Sequence, residues 1–334
     1  MNILVIKLGA LGDFVQGFGP FAAIRARHPG ARVTLLTTPP FAALARAAPW
    51  FDVVWPDGRP GWGDLPALAG LARRLRAGRF DWVYDLQTSP RSSRYRWFVG
   101  RAACWSGVAS GASHPHDNPE RNALHTVDRQ REQLERAGVT VFPSPAMDWL
   151  DGDTTDFGLP ERFVLLLPGA SPQRPGKRWP HYPALAQALA QALAQALAQS
   201  LSPALPHALP WPAVACGGPA EAALGAELAR YGVLDLTGRT TLPQLAAIAR
   251  RAAFTVGNDS GPTHLAAATG CPTLALFGAE SEPSRCAPRG PAATWLRHIP
   301  LSGLSMGVVS TSILASLADT THSSRSTKPP PGPS

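Results

Sequence analysis

Val256-Gly257-Asn258-Asp259-Ser260-Gly261-Pro262-Thr263-His264-Leu265 is the stretch on which the reading of this chain turns. The apolar run Ala253 to Val256 enters it as a strand, and Leu265-Ala266-Ala267-Ala268 leaves it as a helix. Pro262 suits the first helical position, because the N–H it lacks would have no partner there. Gly261 then falls at the N-cap, and the N–H groups of Thr263 and His264 are expected to point outward at the positive end of the helix. Such an end accepts a phosphate. Asp259 lies just outside the helix; a carboxylate repels phosphate, so hydroxyl groups such as those of a sugar are its expected partners. Taken alone, Asp259 or Ser260 reads equally well as an ordinary helix cap.

Outward from this stretch, strands and helices alternate, the pattern of an α/β chain with parallel sheets. Strands are expected at Ile3–Lys7, Arg32–Thr37, Asp52–Trp55 and Asp81–Asp85, and helices at Phe14–His28, Leu65–Ala77 and His125–Ala137. The Pro-rich, acidic run from Val139 to Pro160 reads as a linker. Alternation then resumes with strands at Arg162–Leu167, Trp211–Cys216, Val233–Leu236 and Pro272–Phe277, and helices at Ala222–Tyr231 and Leu242–Arg251. Ala184 to Gln199 is four copies of Ala-Leu-Ala-Gln. A leucine every fourth residue drifts ~40° round a helix at each step, so the repeat makes no single apolar face and reads as an expansion of an ordinary helix. The pattern fades beyond Gly278.

The 334 residues are enough for two domains, and 45% are hydrophobic, a globular composition. No apolar run reaches the ~18 residues that a membrane span requires. The first residues read as a strand, not a signal peptide. Four cysteines without metal-ligand spacing fit a reduced, cytoplasmic protein, and no Asp-x-Asp pair or His/Asp/Glu cluster suggests a metal. The net charge of +8 is scattered arginine. No nucleic-acid-reading motif accompanies it, so nucleic acid is not expected as a partner, and an acidic substrate or an anionic membrane surface fits as well.

Three further loops carry chemistry. Lys7, Gly9, Gly12 and Asp13 follow the first strand. A dinucleotide site, and with it a nicotinamide-dependent oxidoreductase, is disfavoured there, because G-x-G-x-x-G is missing and the second strand ends in Thr37-Thr38 instead of an acid. Asp13 at a helix N-terminus is favoured in its ionised form and can accept a proton, although on this turn alone it reads more readily as a helix cap. Pro168-Gly169-Ala170-Ser171 with Lys177-Arg178-Trp179-Pro180 lies at the carboxyl end of a strand, where open α/β sheets bind ligands. Lys177 can neutralise phosphate as a point charge or be a solvated loop cation, and Trp179 reads as core. In Gly217-Gly218-Pro219-Ala220-Glu221 the carboxylate can hold ribose hydroxyls or stabilise a helix start.

These four motifs, in this order, resemble glycosyltransferase family 9, the ADP-heptose:lipopolysaccharide heptosyltransferases. The resemblance implies an α/β fold of the GT-B type, with two Rossmann-like domains facing each other across a cleft. Residues 1–150 would take the acceptor and 151–300 the nucleotide sugar, with a closing helix at 301–319 returning to the first domain and a disordered tail at 320–334. It further implies a metal-independent, inverting transfer from ADP-heptose with no cofactor. Asp13 is then the general base, and Lys177 and the backbone from Gly261 to His264 hold the diphosphate. Asp259 binds sugar hydroxyls and Glu221 the ribose, with Ser171, Ser260, Thr263 and His264 completing the donor site. Lys7, Gly12, Arg91 and Arg94, with Arg96, fall on the acceptor side, facing an acidic glycolipid at the inner membrane surface. A monomer is expected. A relative using another nucleotide sugar or acceptor, and a binding protein without turnover, are the alternatives. The Ala-Leu-Ala-Gln expansion and the segment after Cys286 depart from the family's pattern.

Overall fold

The computed structural model describes residues 1–199 and 211–323. Contacts divide the chain into two compact units, residues 1–151 with 284–286, and residues 152–283 with 287–334.

The first unit is built on β1 (Asn2–Ile6), α1 (Leu11–Val15), α2 (Phe18–Arg27), β2 (Arg32–Thr37), α3 (Pro39–Ala47), β3 (Val53–Pro56), α4 (Leu65–Ala77), β4 (Trp82–Asp85), α5 (Pro90–Val99), β5 (Cys104–Gly107), β6 (His114–Pro115) and α6 (Thr126–Arg136). Its sheet runs β3-β2-β1-β4-β5-β6, and every pair is parallel. The strands are short apolar runs because helices cover both faces. Ile3, Leu4, Val5 and Ile6 are fully buried. The single helix expected from Phe14 to His28 is instead two, broken at Gly17. A Cβ on Gly17 would sit 2.7 Å from the Phe21 ring, so only glycine lets that ring pack beneath the break.

The second unit repeats the plan with β7 (Val164–Leu167), α7 (Tyr182–Gln199), β8 (Ala213–Ala215), α8 (Ala222–Ala229), β9 (Leu234–Asp235), α9 (Leu242–Arg251), β10 (Phe254–Asn258), α10 (Gly261–Ala268), β11 (Thr273–Phe277), α11 (Pro283–Cys286), whose last three residues count with the first unit, β12 (Ala293–Arg297) and α12 (Met306–Ser323). Its parallel sheet runs β12-β11-β10-β7-β8-β9. Counted from its own first strand, this is the same order as in the first unit. In each sheet the order reverses beside the first strand, between β1 and β4 and between β7 and β10. That reversal leaves a crevice at the carboxyl ends of those strands, where doubly wound sheets hold ligands.

Three expectations are corrected here. The helix at the end of the chain begins at Met306, and Val309 and Ile313 bury into the second unit's own core beside Trp179, Leu185 and Leu189. It continues to Ser323, through the first four residues of the expected tail; residues 324–334 lie outside those described, as does most of the Pro203–Pro212 loop. Within the Ala-Leu-Ala-Gln repeat, Leu185 and Leu189 do share a buried face.

Candidate functional site

In the second unit the crevice between β7 and β10 is organised by Asn258, the last residue of β10. Its side-chain N–H donates to Pro168 O (2.7 Å), and its Oδ1 accepts from the Trp179 amide (3.2 Å). One buried amide thus ties both ends of the 168–179 loop to the strand. Trp179 is core, as expected, and its indole N–H donates to Leu304 O (2.8 Å).

The tethered loop delivers Lys177 to Asp259. Lys177 Nζ lies 2.5 Å from Asp259 Oδ2, Ser281 Oγ donates to the same oxygen, and His264 Nε2 is 3.7 Å from Oδ1. Asp259 is buried. Burial alone would raise its pKa, but hydrogen bonds from His264, Lys177 and Ser281, with the charge of Lys177, outweigh this and hold it at about 2. Asp259 is therefore ionised at neutral pH. One of the three N–H donors of Lys177 is spent on it, which leaves two to aim elsewhere.

The start of α10 differs from expectation. Ser260, not Gly261, is the N-cap, and Pro262 falls at the second helical position. Thr263 N and His264 N both donate to Ser260 O (3.1 and 3.2 Å), and both residues are buried. Their amides are consumed by the helix. Since Pro262 has no N–H, the Gly261 amide is what remains of the first turn. Thr263 instead works through its hydroxyl, donating to Asn258 O (2.6 Å). Gly257 permits this, because a Cβ there would lie 2.2 Å from Thr263 Oγ1. Ser260 Oγ is 3.3 Å from Thr263 Oγ1.

Glu221 occupies a neighbouring place over the ends of β7 and β8. Its Oε2 accepts from Gly218 N (2.9 Å), and its Oε1 meets Arg178 Nη2 (3.4 Å). Gly169 and Gly217 make room for it, since a Cβ on either would approach its side chain to 3.0 and 3.1 Å. Arg178 also donates to Ala170 O (3.1 Å). Ser171 is exposed and bonded to Gln173 Oε1 (2.7 Å).

In the first unit, Lys7 follows β1 and Asp85 ends β4, so both flank the other crevice. Lys7 Nζ donates to Leu86 O (3.3 Å) and Gln130 Oε1 (3.4 Å). Burial lowers Lys7 to about 8, against the opposing pull of the Asp13 carboxylate. Burial raises Asp85 to about 6, although the amides of Thr88 and Gln87 donate to its Oδ1 (3.0 and 3.2 Å). Asp13 is exposed in the first turn of α1; Ala10 is the N-cap, so Asp13 is no cap. The helix behind it has five residues, shorter than expected, and Gly12 lies inside it. The carboxylate folds back over Gly9, where a Cβ would stand 3.0 Å from Asp13 Oδ2. Arg129 on α6 is the second cation that feels it.

The remaining arginines are not gathered around Asp13. Arg91 donates to Pro60 O (3.0 Å) and, with Arg94, covers the Trp62 ring at 5.5 and 4.9 Å; Arg96 donates to Gly111 O. His125 caps α6, its Nδ1 accepting from Val127 N (3.2 Å). No disulfide joins the four cysteines. Among the described residues, no His/Cys/Asp/Glu cluster could hold a metal ion, and no helix is long and apolar enough to cross a membrane.

Sequence reasoning missed Asn258, Ser281 and Arg129. Asn258 was signalled by a polar residue closing an apolar strand. Ser281 was signalled by its loop, Gly278-Ala279-Glu280-Ser281, directly after β11 at the carboxyl edge. In that loop Glu280 Oε1 accepts from Gly176 N (2.7 Å) and so braces the Lys177 turn.

The sequence profile described as glycosyltransferase family 9 (heptosyltransferase) matches residues 68–303. The lipopolysaccharide core heptosyltransferase OpsX of Haemophilus influenzae is 22% identical over 314 residues, covering 86% of this chain and 81% of its own. A second Haemophilus influenzae protein, named "Putative glycosyltransferase", is 29% identical over 99 residues; that match spans 30% of this chain and only 28% of the relative. The solved E. coli ADP-heptose lipopolysaccharide heptosyltransferase II is 21% identical, with a TM-score of 0.70 over 96% of this chain and 100% of that one. At that identity the likeness is one of fold, and the fold is the same pair of parallel α/β sheets.

Proposed function

The chain belongs to glycosyltransferase family 9 and is a heptosyl-type glycosyltransferase; from this premise we propose that it moves a heptose from ADP-heptose to a lipopolysaccharide core acceptor, with inversion and without a metal. The observation that carries this reading is the Lys177 ammonium held 2.5 Å from a buried, ionised Asp259 at the crevice of the second sheet. A cation positioned in this way can meet a diphosphate there.

In the proposed reaction Asp13 takes the proton of the acceptor hydroxyl. The oxygen forms a bond to the anomeric carbon as the carbon–phosphate oxygen bond breaks, and the electron pair leaves with ADP. One carboxylate suffices, because inversion needs no covalent intermediate. Lys177 and the Gly261 amide take up charge on the departing diphosphate. Glu221, held over glycines, is assigned to the ribose, and Asp259 to sugar hydroxyls and to fixing Lys177. Ser171, Ser260, Thr263 and His264 complete the donor side. Lys7, Gly12, Arg91 and Arg94 remain assigned to the acceptor side, with Lys7 acting through its charge. The acceptor is read as an acidic glycolipid on the cytoplasmic face of the inner membrane.

The test is incubation with ADP-heptose and core acceptors truncated before the first heptose, read as the mass gain of one heptose. A thermal-shift panel of nucleotide sugars accompanies it. Stabilisation by another nucleotide sugar and none by ADP-heptose would reassign the donor.

A further inference from the structure

The helix pair α4 and α5 packs side by side in the first unit, and apart from Arg91 and Arg94 the proposed transfer gives none of its residues a role. Residues 58–101 carry nine arginines against three aspartates. All three acids are occupied: Asp85 is buried, Asp81 accepts from the Asn2 amide (2.7 Å), and Asp64 accepts from Ala67 N (3.1 Å) as the cap of α4. The stretch is therefore net cationic, although the exposed Asp64 carboxylate sits beside Leu65. It is also apolar. Trp97 is 71% exposed, Leu65 70% and Trp62 40%, among the most exposed large hydrophobic side chains of the molecule. On α4, Leu65, Arg73 and Arg76 fall on one stripe at helical spacing, and on α5 Arg94 and Trp97 do the same.

We infer that this α4–α5 face docks the protein on an anionic lipid bilayer. Indole rings settle at the boundary between headgroups and acyl chains, and arginines beside them meet lipid phosphates. Nucleic acid fits less well. The arginines over Trp62 cover the ring face that a base would need for stacking, and Leu65 and Trp97 have no counterpart in a phosphate contact.

The placement suits a lipid-borne acceptor. Both helices start from the carboxyl edge of the sheet, after β3 and β4, the edge that also carries Asp13. Arg59, in the loop leading to Trp62, donates to Leu8 O in the turn before Asp13. A bilayer on this face would thus lie beside the loop that adjoins the candidate base. The inference rests on the acceptor being membrane-borne, but its test does not need transfer.

Full-length protein is sedimented with phosphatidylethanolamine vesicles doped with phosphatidylglycerol, and with vesicles of phosphatidylcholine alone. Binding is expected to the first and not the second, and to weaken as salt rises. Arg73→Gln is expected to lower binding about fivefold, and Trp97→Ser to lower it as well, while both variants keep the wild-type melting temperature and transfer to a deacylated, soluble acceptor. Equal binding to both vesicle types, or variants that bind as the wild type does, would overturn the inference. So would retention of a DNA duplex that these variants lose while vesicle binding stays intact. Failure of transfer with vesicle binding intact would count against the proposed reaction and leave this face standing.

Discussion

Each unit places one lysine and one aspartate at the crevice of its sheet, and the two pairs are built in opposite ways. In the second unit Lys177 and Asp259 touch, and Ser281 and His264 add contacts, so burial ends with the carboxylate held at about 2. In the first unit Lys7 and Asp85 are buried just as deeply but donate to and accept from other groups. Burial then dominates, and the two drift toward neutrality, Lys7 down to about 8 and Asp85 up to about 6. Burial with direct contact locks a charge, and burial without it leaves the charge adjustable. The locked pair suits a site that must hold a dianionic leaving group. Lys7 of the adjustable pair feels the charge of Asp13, the exposed acid, where a proton is proposed to arrive.

The largest expected effect would break this division most directly. Asp13→Asn removes the proposed proton acceptor from an exposed position and keeps the size of the side chain over Gly9. The turnover number is expected to fall by about 10²–10⁴, with the melting temperature unchanged. Wild-type turnover in this variant would take Asp13 out of the mechanism. The assignment of roles would also fail if folded Asp259→Asn at saturating donor lost all turnover while Asp13→Asn kept it.

The second effect concerns stability. Asp259→Asn leaves the Lys177 ammonium without its counter-charge in a buried site, a loss of about 3 kcal/mol, measurable in urea. The native carboxyl titrates below its unfolded value of 3.8, so its stabilisation is complete above that pH and is lost as pH falls toward about 2. The gap between wild type and Asp259→Asn is therefore expected to close over that window. A gap that does not depend on pH would mean that the contact is steric and that the charge is not locked.

Much of this was legible in the sequence, and the parts that were not share a cause. The alternation of apolar runs with helical segments gave both sheets, because a strand buried on both faces is a short continuous apolar run. β5, β6 and β12 were missed: Cys104-Trp105-Ser106-Gly107 is too short and polar to show such a run, His114–Pro115 is only two residues, and Ala293–Arg297 is a half-exposed edge strand. The candidate residues were found one by one as loops after strands. Which of them touch was not legible, since the Lys177–Asp259 contact spans 82 positions and depends on the Asn258 tether. The amides of Thr263 and His264 were misjudged because a shift of the cap by a single residue decides whether they face a ligand or the Ser260 carbonyl.

The smallest effect sharpens the comparison from the first unit's side. Lys7 in the folded chain loses its proton near about 8, whereas in the unfolded chain it keeps it to 10.5. Between these values the unfolded state binds more protons, so raising the pH stabilises the fold through this residue. From about pH 8 to about pH 9 the gain approaches about 1 kcal/mol. Lys7→Met is expected to lack that increment. The variant also loses the hydrogen bonds to Leu86 and Gln130, but that cost is the same at both pH values and cancels when the change in urea midpoint is compared with the wild type's. If both proteins respond to the step alike, Lys7 carries its charge as firmly as a surface lysine. Burial without direct contact would then have failed to make this pair adjustable, and the contrast between the two crevices would reduce to geometry.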